Sequence, residues 1–223
     1  MNWLQRFLYI LSKKITRQNL NSFIEKNINS KNKKRINILN IGAGGEIEEY
    51  LKSIPNTKLI SIDINSKTKP DIIADISDEK FLNKIKIKPD YITCFEVLEH
   101  VKEPFKAIQN LFRLSTKKTV LLFSVPFIFP IHEEPNDFYR YTRYGLKYIF
   151  KNFSKVEILN RDGFIDNIFV LSVRLKFSKN YFLKLYALIS ILLYFILLPL
   201  IKLIQFFIKF ENITTGYLVK VKK

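Results

Sequence analysis

The stretch that decides the fold is Leu39-Asn40-Ile41-Gly42-Ala43-Gly44-Gly45, where an apolar run ends in a loop that holds three of the chain's six glycines. The run Ile36–Ile41 is typical of a buried β-strand, and Glu46–Ile54 has the apolar spacing of a helix. Glycine allows positive φ and close approach of the backbone to a ligand, and the N-terminus of the following helix offers free N–H groups. The sequence therefore predicts a ligand-binding loop rather than a plain turn.

The loop differs from two well-known phosphate-binding loops. Ile47 stands where the NAD fingerprint has a glycine or alanine, and no Gly-Lys-Ser/Thr ending follows, as a nucleoside triphosphate would require. Asp63 and Asp75 end the next two predicted strands, where carboxylates accept hydrogen bonds from a ribose and from an adenine amino group. Each of them, taken alone, is also a reasonable helix cap.

Strand-like runs alternate with helical stretches on both sides of this region. A helix is predicted to open at Pro104, and Thr142 is expected to cap another that continues through Phe153. The alternation predicts a mostly parallel sheet covered on both faces. The predicted strands are Ile36–Ile41, Lys58–Ile64, Asp71–Ala74, Tyr91–Phe95, Thr119–Ser124, Val156–Leu159 and Gly216–Val221.

These elements together resemble a class I S-adenosylmethionine-dependent methyltransferase, close to the type-11 methyltransferase domain. The resemblance covers residues 36–160, and Gly216–Val221 is similar to the family's last antiparallel strand. It implies an α/β, Rossmann-like, doubly wound sheet of seven strands, mostly parallel with an antiparallel last strand. The matching segments are Leu39–Gly45, Ser61-Ile62-Asp63, Ala74-Asp75-Ile76 and Phe95-Glu96-Val97-Leu98-Glu99-His100-Val101.

The resemblance also implies that S-adenosyl-L-methionine is the cofactor. The glycine loop would lie against the methionine part, Asp63 would hold the ribose and Asp75 would reach the adenine. Glu96 ends a strand near the methyl donor, and Glu46 stands where the commonest pattern has a third glycine. The predicted cofactor-binding residues are Gly42, Ala43, Gly44, Gly45, Asp63, Ile64, Asp75, Ile76 and Glu96.

A long loop, Val125–Tyr141, is the best candidate for the side that receives the methyl group. Loops of this length in compact domains are usually functional or disordered, and its aromatic residues argue against disorder. Similar methyltransferases carry a related Pro, His, Asp and Arg segment. We predict His132 as a general base, with Asp137 and Arg140 as the other catalytic residues; a purely structural Asp137–Arg140 pair and a base role for His100 are the alternatives. With one cysteine and two histidines in the chain, no metal site is predicted.

The basic charge lies at the two ends of the chain. The net charge is +17, but residues 36–160 hold 18 Lys and Arg against 16 acids, whereas residues 1–35 hold nine against one and residues 161–223 hold ten against three. Basic ends beside apolar stretches favour an anionic membrane surface as a partner. A near-neutral middle argues against nucleic acid.

The segment before the last strand is unusually apolar. Leu185–Ile201 runs 17 residues without a charge, which as a helix is about 25 Å, at the short end of a membrane span. Because the strands on either side are expected in one sheet, we predict that it enters the membrane without crossing it, with Pro199 breaking or kinking the helix. Packing on the chain's own domain or on a second subunit is the alternative.

Four regions follow from these patterns. We predict a basic amphipathic helix and linker at 1–35, a methyltransferase core at 36–160, a membrane-associated helical insert at 161–213, and the last strand of the sheet at 214–223. The N-terminal helix is interpreted either as packing on the domain or as lying in the membrane interface.

The functional hypothesis is methyl transfer to an oxygen of a lipid, a lipid-linked glycan or a small molecule at the cytoplasmic face of the inner membrane. Surface-polysaccharide functions are common among similar proteins, which is an analogy from the fold. Two alternatives stay open: a nucleic-acid methyltransferase, and a membrane-associated protein that binds a nucleoside without turnover.

Overall fold

Seven strands form one sheet in the computed structural model, which describes residues 10, 19–29, 35–208 and 212–223. The strands are β1 (Ile36–Ile41), β2 (Thr57–Asp63), β3 (Ile72–Ile73), β4 (Tyr91–Phe95), β5 (Val120–Pro126), β6 (Lys155–Asn160) and β7 (Gly216–Lys222). Their order is β3-β2-β1-β4-β5-β7-β6, mostly parallel with antiparallel last strands. The predicted Rossmann-like fold class is confirmed.

Helices connect these strands. Residues 19–27 are helical and are called α1. The others are α2 (Gly45–Ser53), α3 (Pro104–Leu114), α4 (Arg143–Ile149), α5 (Phe164–Arg174) and α6 (Tyr181–Phe207). Short 3-10 turns lie at Ser66–Thr68, Glu79–Lys84, Leu98–His100 and Leu175–Phe177.

The central strands are buried on both faces, as their continuous apolar runs predict. Every residue of β4 is buried, and so are six of the seven residues of β5. Fully buried side chains of the core include Ile38, Leu39, Ile92, Leu121 and Phe123. This rigid centre holds the strand ends, and the loops that follow them, in fixed positions.

Two local predictions about helices are settled by the backbone. The hydroxyl of Thr142 accepts a hydrogen bond from the Gly145 amide at 3.0 Å, so the predicted cap is confirmed. The predicted extension of that helix through Phe153 is wrong, because α4 ends at Ile149. A turn follows in which Phe153 N–H donates to the Phe150 carbonyl, and both aromatic side chains are buried.

The chain separates into two compact units. The sheet unit comprises residues 24–126, 132–159 and 217–223, and the helical unit comprises residues 1–23, 127–131 and 160–216. The predicted N-terminal amphipathic helix and its linker fall largely outside the described residues. The predicted domain boundaries stay predictions.

The helical unit is built on the pairing of α5 with α6. Asp166 of α5 accepts hydrogen bonds from the Tyr194 hydroxyl at 2.8 Å and from the Gln205 amide at 3.0 Å, both on α6. Helix α6 runs through Pro199 without a break, so of the predicted break or kink the break is wrong and the kink stays a prediction. Only a narrow stripe of α6 is buried, at Ala187, Ser190, Ile191, Tyr194 and Ile201.

Candidate active site

The carboxyl ends of the parallel strands bring the predicted cofactor residues to one edge of the sheet. Ile41 of β1 is paired with Ile62 of β2 and with Cys94 of β4. Ile62 is in turn paired with Ile72 of β3. The residues that follow these strands therefore share one edge, as parallel pairing requires. They include the glycine loop, Asp63, Asp75 and Glu96.

Gly42 occupies a position that only glycine fits. Its φ is +90°, and a Cβ placed on it would collide with Cγ2 of Val97. Gly44 and Gly45 also have positive φ, at 85° and 73°. The backbone of the loop at Gly42 therefore packs directly against the Val97 side chain in the segment after β4.

Asp63 fixes the conformation of the glycine loop. Its Oδ2 accepts a hydrogen bond from the Ala43 amide at 2.8 Å, and its Oδ1 accepts one from the Asn65 amide at 2.7 Å. A carboxylate offers about four acceptor sites, so these two bonds leave capacity for ribose hydroxyls. The neighbouring Ile64 side chain is exposed.

Asp75 has the local hydrogen bonds of a turn. Its Oδ1 accepts from the Ser77 amide at 2.8 Å and from the Ser77 hydroxyl at 2.5 Å, and the residue is exposed. Ile76 is buried, and its carbonyl accepts from the Asn110 side-chain amide at 3.0 Å. These hydrogen bonds are those of a local cap, which is the alternative interpretation of Asp75. The residue nevertheless lies at the sheet edge where the adenine is predicted to bind.

Glu96 has an unusual backbone for a residue that is not glycine. Its φ is +54°, its amide donates to the Ser124 carbonyl at 3.0 Å, and its Oε1 accepts from the Ser124 hydroxyl at 2.7 Å. Backbone strain of this kind is concentrated at functional sites. The strained turn directs the chain from β4 into the short Leu98–His100 helix.

The second group of candidate residues meets at Asp137. Both oxygens of this carboxylate accept from the Arg140 guanidinium, at 2.5 Å and 2.6 Å. Its Oδ2 also accepts from the His132 amide at 2.9 Å and lies 3.3 Å from His132 Nδ1. The hydrogen bonds from Arg140 hold the pKa of Asp137 well below its usual range, so the carboxylate is ionised.

His100 and His132 face one buried carboxylate. Their Nε2 atoms lie 3.6 Å and 3.8 Å from Oε1 of Glu99, whose side chain has no exposed surface. The two rings meet edge to face, with centroids 4.9 Å apart. We call Glu99, His100, His132, Asp137 and Arg140 the histidine cluster.

The loop is tied to the strained turn by hydrogen bonds. The Glu99 carbonyl accepts from the Phe138 and Tyr139 amides, at 3.0 Å and 3.2 Å. The Tyr141 hydroxyl donates to the Leu98 carbonyl at 3.0 Å, and burial raises the pKa of this tyrosine. These bonds keep His132 and its neighbours close to the end of β4.

Every member of the histidine cluster except Glu99 was predicted from the sequence as a candidate. His132, Asp137 and Arg140 lie in one predicted loop, His100 was the alternative base, and the structure brings all four together. A signal for Glu99 was present, because an acid inside the apolar segment Val97–Val101 is expected to be buried with a partner.

The family of the chain follows from comparison with known proteins. A family model described as a methyltransferase domain matches residues 11–161, which is more than half of the chain. The chain belongs to this methyltransferase family. It is an S-adenosylmethionine-dependent methyltransferase, and S-adenosylmethionine is its cofactor. The alternative of a binding protein without turnover is therefore wrong.

Solved structures of methyltransferases share the fold. A SAM-dependent methyltransferase from Archaeoglobus fulgidus is 16% identical, with a TM-score of 0.57, over 96% of this chain and 99% of that chain. Phosphoethanolamine N-methyltransferase 2 of Haemonchus contortus, in complex with S-adenosyl-L-methionine, is 14% identical, with a TM-score of 0.54, over 96% of this chain and 56% of that one.

The plantazolicin methyltransferase BamL, in complex with SAH, is 13% identical, with a TM-score of 0.53, over 95% of this chain and 85% of its own. At these identities the likeness concerns the fold. No curated protein matches the chain significantly.

Proposed function

We propose that this methyltransferase transfers the methyl group of S-adenosylmethionine to an oxygen atom of a lipid, a lipid-linked glycan or a small molecule at the cytoplasmic face of the inner membrane. The observation that carries the oxygen acceptor is the histidine cluster, in which an ionised Asp137 lies 3.3 Å from Nδ1 of His132. A carboxylate behind an imidazole raises its basicity and fixes its orientation. An alcohol needs such help to lose its proton, whereas a neutral amine does not.

The cofactor is proposed to lie along the edge of the sheet. The loop Gly42–Gly45 would take the methionine part, Asp63 with Ile64 the ribose, and Asp75 with Ile76 the adenine. Glu96 would line the pocket beside the methyl group. Asp63 supports this arrangement because it already holds the glycine loop through the Ala43 amide and retains acceptor capacity.

The reaction would be an in-line displacement at the methyl carbon. The acceptor oxygen forms a bond to this carbon while the carbon–sulfur bond breaks and its electron pair stays on sulfur. The proton of the acceptor would pass to His132. Because the sulfonium is already activated, the protein mainly aligns donor and acceptor.

Helix α6 supports a membrane location. It is the one helix among the described residues that is long and apolar enough to cross a membrane, with a mean hydropathy of 2.6 over its most apolar window. Apart from its buried stripe, most of its large apolar side chains are exposed, for example Phe182, Ile196 and Phe206 at 72–77%. An exposed apolar surface along a helix of 27 residues is typical of contact with a membrane or a partner.

Topology favours insertion without a complete crossing. The chain enters α6 after β6 and returns to β7, and these strands are neighbours in one sheet. A single crossing would leave them on opposite sides of the membrane. The lysines that flank the uncharged run Leu185–Ile201 fit two cytoplasmic ends: Lys176, Lys179, Lys184 and Lys202, with Lys209 outside the described residues.

The proposal is tested by comparing cells with and without the gene. Lipid and glycan extracts of the two strains are compared by mass spectrometry for a difference of one CH₂, followed by fragmentation to locate the methyl group. An O-methyl group present only in cells with the gene supports the proposal. Methylation found only in nucleic acid would support the alternative drawn from the basic charge.

A further inference from the structure

Three ligand atoms of the histidine cluster converge on one point. Glu99, His100 and His132 each offer one such atom, and these atoms all lie within 4.8 Å of one another. The separations of 3.6 Å and 3.8 Å between Glu99 Oε1 and the two Nε2 atoms are longer than a hydrogen bond. Two ligands of a tetrahedral ion, each about 2.1 Å from it, are about 3.4 Å apart. The two separations from Glu99 exceed this value by a few tenths of an ångström, and the two imidazoles, whose ligand atoms lie within 4.8 Å of each other, would move closer together on binding an ion.

Both imidazoles are oriented from behind. His100 Nδ1 lies 2.7 Å from the Asn136 carbonyl oxygen, which accepts only, so this nitrogen carries the proton. His132 Nδ1 lies 3.3 Å from Asp137 Oδ2, an oxygen that already accepts hydrogen bonds from the Arg140 guanidinium and the His132 amide, and is likewise the donor. In the neutral form of each ring the lone pair is then on Nε2, the atom turned toward Glu99. Metal-binding histidines are typically held in this way, by a carboxylate or a carbonyl on the second nitrogen.

The burial of Glu99 calls for a positive charge. Its side chain has no exposed surface, and an ionised carboxylate in such a place is costly unless a cation compensates it. Arg140 interacts electrostatically with Glu99 and compensates part of this charge, and a bound metal ion would add to that compensation.

We propose that Glu99, His100 and His132 bind a divalent transition-metal ion through one carboxylate oxygen and two imidazole nitrogens. Asp137 and the Asn136 carbonyl act as positioning groups. One cysteine and two histidines predicted no metal site. Two histidines suffice here because the fold adds a buried carboxylate between them. A set of two nitrogens and one oxygen suits Mn²⁺, Fe²⁺, Co²⁺ or Zn²⁺ and leaves coordination positions open.

The metal would give the proposed methyl transfer a different activation step, and this part of the inference rests on the proposed function. An acceptor hydroxyl in an open position would have its pKa lowered by the ion and would release its proton to solvent water. Its oxygen would then attack the methyl carbon, and sulfur would keep the electron pair of the broken bond. A metal-bound Nε2 has no lone pair for a proton, so the metal role of His132 replaces its base role.

Metal binding is tested without turnover, on the full-length chain without a histidine tag and stripped with a chelator. Calorimetric titration with Mn²⁺ and Zn²⁺ should give one site per chain. Glu99→Gln and His132→Gln should each weaken it about 100-fold or more, and Asp137→Asn about 10–100-fold. The matched control is Glu133→Gln, a carboxylate from the same loop that is exposed. S-adenosylmethionine affinity and thermal unfolding report whether each variant folds.

A second measurement needs no variants. The chain contains two histidines, so the Co²⁺ form should show two paramagnetically shifted imidazole N–H resonances, from the two Nδ1 protons. Absence of a stoichiometric site, loss of affinity in the control alone, or Co²⁺ spectra without shifted imidazole protons would overturn the proposal. A metal site without an O-methylated product would refute the proposed function and leave the metal site standing.

Discussion

The two halves of the candidate active site are built in different ways. The cofactor edge is our name for the sheet edge with the glycine loop, Asp63, Asp75 and Glu96, where the cofactor is proposed to bind. It is made by backbone at the ends of neighbouring parallel strands, and Asp63 holds the glycine loop in place. The histidine cluster is made by side chains from a short 3-10 helix and from a loop more than thirty residues later. The first half follows from the fold, whereas the second depends on how one loop is tied down. The comparison teaches that donor binding and acceptor chemistry should be separable by mutation.

The largest expected effect is on turnover, at His132. His132→Gln removes the proposed base or ligand and should lower kcat about 10²–10⁴-fold. Affinity for S-adenosylmethionine should stay unchanged, because the proposed cofactor-binding residues lie at the strand ends. Steady-state kinetics with the identified acceptor, together with calorimetry of the donor, measures both. A comparable loss of donor affinity would break the separation between the two halves.

The next effect concerns the close approach at Gly42. Gly42→Ala places a methyl group against Val97 and a side chain at positive φ, and should lower the free energy of unfolding by about 3 kcal/mol. Chemical denaturation measures it. Gly45→Ala is the matched control, since its φ is also positive but its Cβ would meet no atom within 4 Å. Adding Val97→Ala to Gly42→Ala should recover part of the loss; no recovery would argue against the collision as its cause.

A smaller effect is expected at Asp63. Asp63→Ala removes the acceptor of the Ala43 amide and the proposed ribose contact, and should weaken S-adenosylmethionine binding by roughly 1.5–3 kcal/mol. Calorimetry of the donor checks this. Asp75→Ala is the comparison variant for donor affinity. The hydrogen bonds that the Asp75 side chain accepts come from Ser77, two residues away, and none of them holds the glycine loop. An Asp63→Ala variant with wild-type donor affinity would contradict the assignment of the cofactor edge.

The smallest effect is expected on membrane partition. Ile196→Lys places a charge on the exposed apolar face of α6 and should shift partition onto anionic vesicles about tenfold toward solution, or about 1.4 kcal/mol. Vesicle sedimentation measures the bound fraction. Tyr144→Lys on α4 is the matched control, with 79% exposure against 72% for Ile196. Equal shifts in both variants would point to general charge rather than insertion of α6.

The cofactor edge could be predicted from the sequence because its signals are local. A strand ending in glycines at residues 42–45 and a carboxylate at the end of the next strand are each encoded within a few residues. The sheet then aligns them, since parallel strands share one carboxyl edge.

The histidine cluster could be predicted only in part. Asp137 and Arg140 are three residues apart and were recognised as a pair, but the meeting of His100 with His132 depends on the backbone bonds that tie Phe138 and Tyr139 to Glu99. No spacing in the sequence encodes that contact. The continuity of α6 at Pro199 was missed for a related reason, because packing against α5 holds together a helix that local propensity would interrupt.

The central claim is that the cofactor edge binds S-adenosylmethionine and that the histidine cluster activates an oxygen of a membrane-associated acceptor. The most direct measurement incubates the purified chain with radiolabelled methyl-S-adenosylmethionine and membranes from cells that lack the gene. The account predicts label in the lipid-extractable fraction with the wild type. It also predicts loss of that label with His132→Gln at unchanged donor affinity. Label confined to nucleic acid, or equal labelling by the variant, would contradict it.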